Sequence, residues 1–323
     1  MQGICTLAND IVYDQVVALL NSIDQVLGSD IPVCIYPFDD QLKKVSQFIK
    51  SRNNVFIYQD QASLDRWDQF MLRAAPERLN PDNSRLYGAH RRFCAFDGPF
   101  DQFIYMDADT LAMNSMAMIW EKLQQVDWVV YDFQFLDSSK VYNLKSPRIF
   151  EVFSSERIAS EIFCSGFYGG KRGLFDQGMI RWLLEQLNRG EREILYEGAG
   201  EQPLINYMVM RSGISSYNFA YDLPSDHSTG CCATSRHFQE QDHILYDRGN
   251  RLTYLHYIGV PPDLIRRVGA GENIEFPYRD LFLYYRYLHE PEKQPIFTTL
   301  PVPYRYKSSH PWKRLWRKLW RDN

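Results

Sequence analysis

Three short apolar runs alternate with two amphipathic stretches in the first 58 residues, and this alternation limits the possible folds more than any other feature. Residues 3–7 read as a first strand that ends in the polar turn Ala8-Asn9-Asp10. Val12, Val16, Leu19, Leu20, Ile23 and Leu27 then fall on one helical face. Residues 31–36 and 55–58 read as two further strands, separated by the turn Pro37-Phe38-Asp39-Asp40 and a helix near 42–49. This order and spacing predict a parallel sheet with crossover helices. A nucleotide commonly sits over the first strand–helix turn of such a unit. The spaced glycines of a dinucleotide fingerprint are absent there, which argues against an NAD-type site.

The chemistry concentrates at Phe103-Ile104-Tyr105-Met106-Asp107-Ala108-Asp109-Thr110, where four large apolar residues run into the chain's only Asp-x-Asp. Such a run reads as a strand buried on both faces. If the extended geometry continues past its end, Asp107 and Asp109 point the same way. Two carboxylates would then stand at the carboxyl edge of the sheet, where open α/β sheets place ligands. Hard oxygen ligands with few other protein donors suit Mg²⁺ or Mn²⁺ that also holds substrate phosphates.

Residues 85–93 read as a helix leading into this strand, with Arg91 and Arg92 on a solvated face and Arg85 at its start as a cation for a bound diphosphate. Beyond the acids, a short helix over 116–123 and a buried strand over 128–131 follow. Residues 136–160 lack clean periodicity, as a functional loop would. Residues 163–170 return to strand character, residues 177–187 read as a helix, and Glu201-Gln202-Pro203 opens another. Residues 252–259 read as a strand ending in a turn. Taken alone, His256 reads as a hydrogen-bonded surface residue, and His227, Cys231, Cys232 and His237 lack the spacing of zinc knuckles and read as a loop.

Charge divides the chain unevenly. From Arg305 onward seven Lys/Arg face one Asp, and the other residues carry 29 basic and 39 acidic side chains. An acidic body argues against a nucleic-acid partner. In the tail, Trp312, Leu315, Trp316, Leu319 and Trp320 recur at helical spacing, with Lys313, Arg314, Arg317, Lys318 and Arg321 between them. That pattern predicts a helix lying in a membrane interface at 311–321, after a Pro-containing connector. A body over 1–297 and a connector and tail over 298–323 are therefore expected. Scattered cysteines and an N-terminus without signal-peptide features predict a cytoplasmic protein, peripheral at the inner face of a membrane.

Together these segments resemble GT-A nucleotide-sugar glycosyltransferases, in particular glycosyltransferase family 8, over roughly residues 3–260. Thr6-Leu7-Ala8-Asn9-Asp10-Ile11-Val12-Tyr13 is similar to the family's nucleotide-binding first turn, and Arg85-Leu86 to its upstream Arg-Leu pair. Tyr105-Met106-Asp107-Ala108-Asp109-Thr110 is close to its metal motif, and Ser165-Gly166, Glu201-Gln202 and His256-Tyr257-Ile258-Gly259 are similar to later segments. The chain departs from the pattern where Cys164 replaces Asn, Glu201 replaces Asp, and Val260-Pro261-Pro262 stands in place of Lys-Pro-Trp.

The resemblance implies a GT-A fold: an α/β, Rossmann-like, mixed but mainly parallel central sheet flanked by helices. It implies Mn²⁺ or Mg²⁺ held by Asp107, Asp109 and His256, and a nucleoside-diphosphate sugar, UDP-linked first, contacting Thr6, Leu7, Asn9, Tyr13, Arg85, Ala108, Ser165 and Gly166. Gln202, Glu201 and Arg85 would serve transfer, with retention, to a glycan or lipid-linked acceptor. Two alternatives stand beside it. Asp107-Ala108-Asp109-Thr110 also resembles the first motif of haloacid-dehalogenase-like phosphatases, with Asp107 as nucleophile and Asp109 as acid/base. The fold can also belong to a non-catalytic, membrane-associated nucleotide-sugar binder.

Overall fold

A computed structural model describes residues 1–76, 88–197 and 200–304. Strand β1 (Gln2–Ala8) is followed by helix α1 (Tyr13–Leu27), β2 (Val33–Pro37), α2 (Lys43–Ile49) and β3 (Val55–Ile57). The three strands pair in parallel. Helix α3 (Gln61–Ala74), capped by the Asp60 side chain, is an element that the sequence reading did not foresee. Strand β4 (Gln102–Met106) then returns to the other side of β1, again in parallel. Chain direction across the sheet therefore reverses between β1 and β4, the position at which open α/β sheets bind ligands.

Strand β5 (Thr110–Ala112) and helix α4 (Ala117–Leu123) lead to β6 (Trp128–Val130). The segment of weak periodicity forms short turns, including α5 (Ile149–Val152) and α6 (Ser155–Ser160), before β7 (Phe167–Lys171). Val141, Tyr142, Ile149, Phe153 and Ile158 bury themselves in the core, so this stretch is anchored to the body along its length. Strand β7 runs antiparallel between β4 and β6. After α7 (Gln177–Asn188), α8 (Gln202–Arg211) and β8 (Ser216–Asn218), the sheet has the order β3-β2-β1-β4-β7-β6-β8.

Alternation along β4 divides the core. Phe103 and Tyr105 face an aromatic layer with Trp67, Phe93, Phe96, Trp128 and Tyr168, while Ile104 and Met106 face an aliphatic layer with Val16, Leu19 and Ile23 of α1. Gly170 of β7 makes the aromatic layer possible, because a Cβ there would sit 2.9 Å from the Phe103 ring and 3.0 Å from Trp128. Each such ring, fully buried, contributes about 1.5–3 kcal/mol.

The remaining elements follow in chain order. They are α9 (Phe219–Asp222), the hairpin strands β9 (Gln239–Gln241), β10 (Ile244–Asp247) and β11 (Asn250–Arg251), then β12 (Tyr254–His256), α10 (Pro262–Gly269), β13 (Ile274–Glu275), α11 (Arg279–Tyr287) and β14 (Val302–Pro303). Asn21 on α1 donates to the Tyr285 carbonyl at 2.8 Å, and Arg286 pairs with Asp14 at 2.6 Å. Val302–Pro303, inside the expected connector, pairs in parallel with β13. The expected tail helix at 311–321 lies outside the described residues, as do Arg85, Leu86 and Tyr87. Among the described residues no helix is long and apolar enough to cross a membrane, and all six cysteines are free.

Candidate active site

The chain does not stay extended past β4. Thr110 donates to the Asp107 carbonyl through its N–H (3.0 Å) and its hydroxyl (2.7 Å), closing a turn over Asp107 to Thr110. The turn sends the chain back as β5, which pairs antiparallel with β12 and sets His256 opposite Thr110. Tyr257 N–H donates to the Asp109 carbonyl at 2.9 Å, and His256 Nε2 lies 3.3 Å from Asp109 Oδ1. One ligand atom from each of Asp107, Asp109 and His256 falls within a 4.8 Å cluster. Contrary to the reading of His256 as a surface residue, it is 5% exposed, because strand pairing covers it.

Gly166 completes this pocket. Its carbonyl accepts the Asp107 N–H at 2.8 Å, and a Cβ here would sit 2.4 Å from His256 Cε1 and 3.1 Å from Asp107 Oδ2. Only a residue without a side chain lets the two ligands approach. Two carboxylates and one imidazole around a narrow space fit a divalent cation, with the oxygens favouring Mn²⁺ or Mg²⁺ and the imidazole shifting preference toward Mn²⁺.

The opposite wall overturns the expectation of a solvated Arg92. The stretch Ala89–Phe96 is a 3-10 helix, and Arg92 is buried within it. Its guanidinium lies 3.1 Å from Asp107 Oδ1 and 3.1 Å from Glu201 Oε1, and it donates to the Ser165 carbonyl at 2.8 Å. It also stacks over the Tyr105 ring, whose hydroxyl donates to Asp107 Oδ1 at 2.9 Å. Arg91 is likewise occupied, pairing with Asp68 at 3.0 Å. A basic run does not reveal which of its members turns inward. That depends on the carboxylates of Asp107, just past β4, and Glu201, just before α8.

At the start of α8, Gln202 Oε1 accepts the Ser165 N–H at 3.2 Å, and the Ser165 hydroxyl donates to Glu201 Oε1 at 3.2 Å. Asn206, one turn later, clamps both backbone groups of Phe163 at 2.9 Å. Strand β7 begins just after these residues, at Phe167 rather than at residue 163.

Burial and neighbouring charge act on the acids in different proportions. Burial pushes Asp107 above its ordinary value, Arg92 offsets part of this, and Asp109 adds to it. Asp109 is also penalised by burial, yet His256 holds it below its ordinary value. His256 is held well above its ordinary value by Asp109 against the effect of burial.

At the first turn, Thr6 and Leu7 lie buried in β1. Asn9 accepts from Ile11 N–H at 3.0 Å and donates to Asp39 Oδ2 at 2.8 Å, so Asp39 shares this edge although the sequence reading assigned it no role. Tyr13 packs edge-on against Phe48 and lies under the Arg286 guanidinium. Beyond β6, Asp132 is 3% exposed, and its Oδ2 has no hydrogen-bond partner. Burial pushes it to about 7 despite the Gln134 and Cys164 N–H groups aimed at it. No sequence pattern distinguished it from other acids near strand ends.

No family model matches the chain, and no curated protein matches it by sequence. Solved structures do match its fold. Galactosyltransferase LgtC, in complex with donor and acceptor sugar analogues, aligns at a TM-score of 0.52 and 12% identity, over 87% of this chain and 100% of that one. The bifunctional glycosyltransferase WbbM, in apo form, aligns at a TM-score of 0.53 and 10% identity over 90% of this chain. The aligned region spans about half of WbbM, 51% of its length. The fold is thus GT-A, a mixed and mainly parallel sheet flanked by helices. In the haloacid-dehalogenase-like arrangement, by contrast, the acid motif opens the core domain.

Proposed function

We propose that this protein is a metal-dependent glycosyltransferase that moves a sugar from a nucleoside-diphosphate sugar, UDP-linked first, to a glycan or lipid-linked acceptor with retention. The observation that carries this reading is the Asp107, Asp109 and His256 cluster at the ligand-binding edge of a GT-A sheet. These three residues would hold Mn²⁺ or Mg²⁺, which when bound would neutralise charge growing on the leaving diphosphate. Arg92 keeps Asp107 and Glu201 in fixed positions, and Ser165 and Gly166 close the floor beneath them. Gln202, anchored through Oε1, is assigned to meet the sugar through its Nε2 group, with Glu201 beside it. Asn9 and Tyr13 face the base and ribose, with the backbone of Thr6, Leu7 and Ala108 at the same edge. Arg85 is assigned the role of a further cation at the diphosphate. The basic tail brings the site to an anionic membrane.

The test is donor hydrolysis without acceptor. UDP-, GDP-, ADP- and CMP-sugars are incubated with the protein and Mn²⁺, and release of the nucleoside phosphate is followed. Slow release from one nucleotide class, abolished in Asp109→Ala, is expected. Hydrolysis of a generic phosphoester with no action on any nucleotide sugar would contradict the reading, and inertness toward both would favour a non-catalytic binder.

A further inference from the structure

The Cys231-Cys232 pair has no role in the transfer chemistry above, yet its backbone is bonded to a metal-site residue. The two sulfurs lie 3.9 Å apart, with Cys231 buried and Cys232 partly exposed. His256 N–H donates to the Cys231 carbonyl at 2.7 Å, and Ala233 N–H donates to the His256 carbonyl at 2.9 Å. Cys232 is thereby bridged in parallel to His256, on the side of β12 away from β5. Backbone bonds on both sides fix the position of the imidazole, and the cysteine pair supplies one side.

We propose that Cys231 and Cys232 form a thiol-modification site, oxidised by a hydroperoxide to a vicinal disulfide whose closure displaces His256 and weakens the metal site. The second half of this rests on the metal-site reading above. The chemistry balances in two steps. The Cys232 sulfur, the more exposed, attacks a peroxide oxygen, giving a sulfenic acid and, with hydrogen peroxide, one water. The Cys231 thiol then attacks that sulfur, the S–S bond forms, and a second water leaves. The two thiols lose two electrons and two protons, and the peroxide is reduced. A dithiol reductant reverses the reaction by exchange.

Closure has a geometric consequence. The sulfurs must approach from 3.9 Å to about 2.05 Å, within an eight-membered ring that contains the 231–232 peptide. A planar peptide resists twisting and turns as a unit. Its carbonyl is the acceptor of the His256 N–H, so the turn carries that acceptor away from β12. Cys5, Cys34 and Cys94 are buried apart from this strand, and Cys164, whose side chain bonds to His256, is the one competing thiol near it.

The experiment treats the full-length protein with hydrogen peroxide, then measures the mass of tryptic peptide 212–236, which holds no other cysteine, and Mn²⁺ affinity by electron paramagnetic resonance titration. The expected result is loss of two hydrogens from that peptide and at least a tenfold weaker Mn²⁺ affinity, both reversed by dithiothreitol. Cys231→Ser and Cys232→Ser should bind Mn²⁺ normally and keep that affinity under peroxide. Gain of oxygen with no loss of hydrogens, or a disulfide with unchanged affinity, would overturn the proposal. So would a Cys232→Ser protein that loses affinity as fast as wild type while Cys164→Ser is protected. Failure of the untreated protein to bind Mn²⁺ would instead refute the metal-site reading, and the peptide mass would still decide whether the disulfide forms.

Discussion

Asp107 and Asp109 stand two residues apart and lean on different kinds of cation. Asp107 faces a buried guanidinium shared with Glu201, and Asp109 faces an imidazole. An arginine stays charged at any accessible pH, so the Arg92 wall is permanent structure. A histidine can give up its proton, so in the proposed reading the His256 wall would exchange its charge for that of a metal ion. One side of the acid pair holds the site in shape, and the other leaves it open to a ligand.

The largest expected effect comes from breaking the permanent wall. Arg92→Met leaves Asp107 and Glu201 buried without their shared partner. Loss of one member of such a network costs about 3–5 kcal/mol. Denaturant melts should show this loss, with Arg92→Lys restoring part of it. If Arg92→Met proves as stable as wild type, the two walls do not differ in the way described.

The exchangeable wall predicts a pH signature. Asp109 holds His256 well above its ordinary value of 6.5 against the effect of burial, and a metal ion needs the neutral imidazole, so metal binding competes with that proton. Mn²⁺ affinity should therefore rise roughly tenfold per pH unit until His256 is neutral, and His256→Asn should flatten the slope. The metal-free protein has the opposite dependence. The stabilising effect of the raised histidine is fully present below 6.5 and lost as pH rises through its folded value. That of the lowered Asp109 is present above 3.8 and lost as pH falls through its folded value. Metal-free stability from this pair is thus greatest between those two ordinary values. Melts across pH with and without Mn²⁺ would check both signs.

The smallest effect on the site should come from the tail. Deleting residues 309–323 is expected to release the protein from anionic vesicles while leaving donor hydrolysis within about twofold. Vesicle binding that survives the deletion removes the assigned role of the tail.

Local pattern carried the parallel half of the fold. Strands β1, β2 and β4 and helix α1 owe their place to runs and faces visible within ten to fifteen residues, and the acid motif follows directly from one of them. What sequence reading missed depends on contacts between distant segments. Arg92 turns inward because Asp107 and Glu201 meet it there, and nothing in His90-Arg91-Arg92 separates it from its neighbour. His256 is buried because β12 finds β5. Asp132 lies buried two residues past β6, which sits between β7 and β8, and the surroundings of its Oδ2 come from segments distant in sequence. Periodicity did not place His256 beside Asp107 and Asp109, whereas the resemblance at His256-Tyr257-Ile258-Gly259 grouped the three residues that the structure brings together.

The most direct measurement is a thermal-shift comparison of wild type and Asp109→Ala with UDP-, GDP-, ADP- and CMP-sugars, each with and without Mn²⁺. In wild type, one nucleotide class should stabilise the protein only when Mn²⁺ is present, by about 2.7 kcal/mol at a hundredfold excess over its dissociation constant. Asp109→Ala should keep its fold and lose that response. Equal stabilisation without Mn²⁺, or an unchanged response in Asp109→Ala, would contradict the claim that the acid pair and His256 form the metal-dependent donor site.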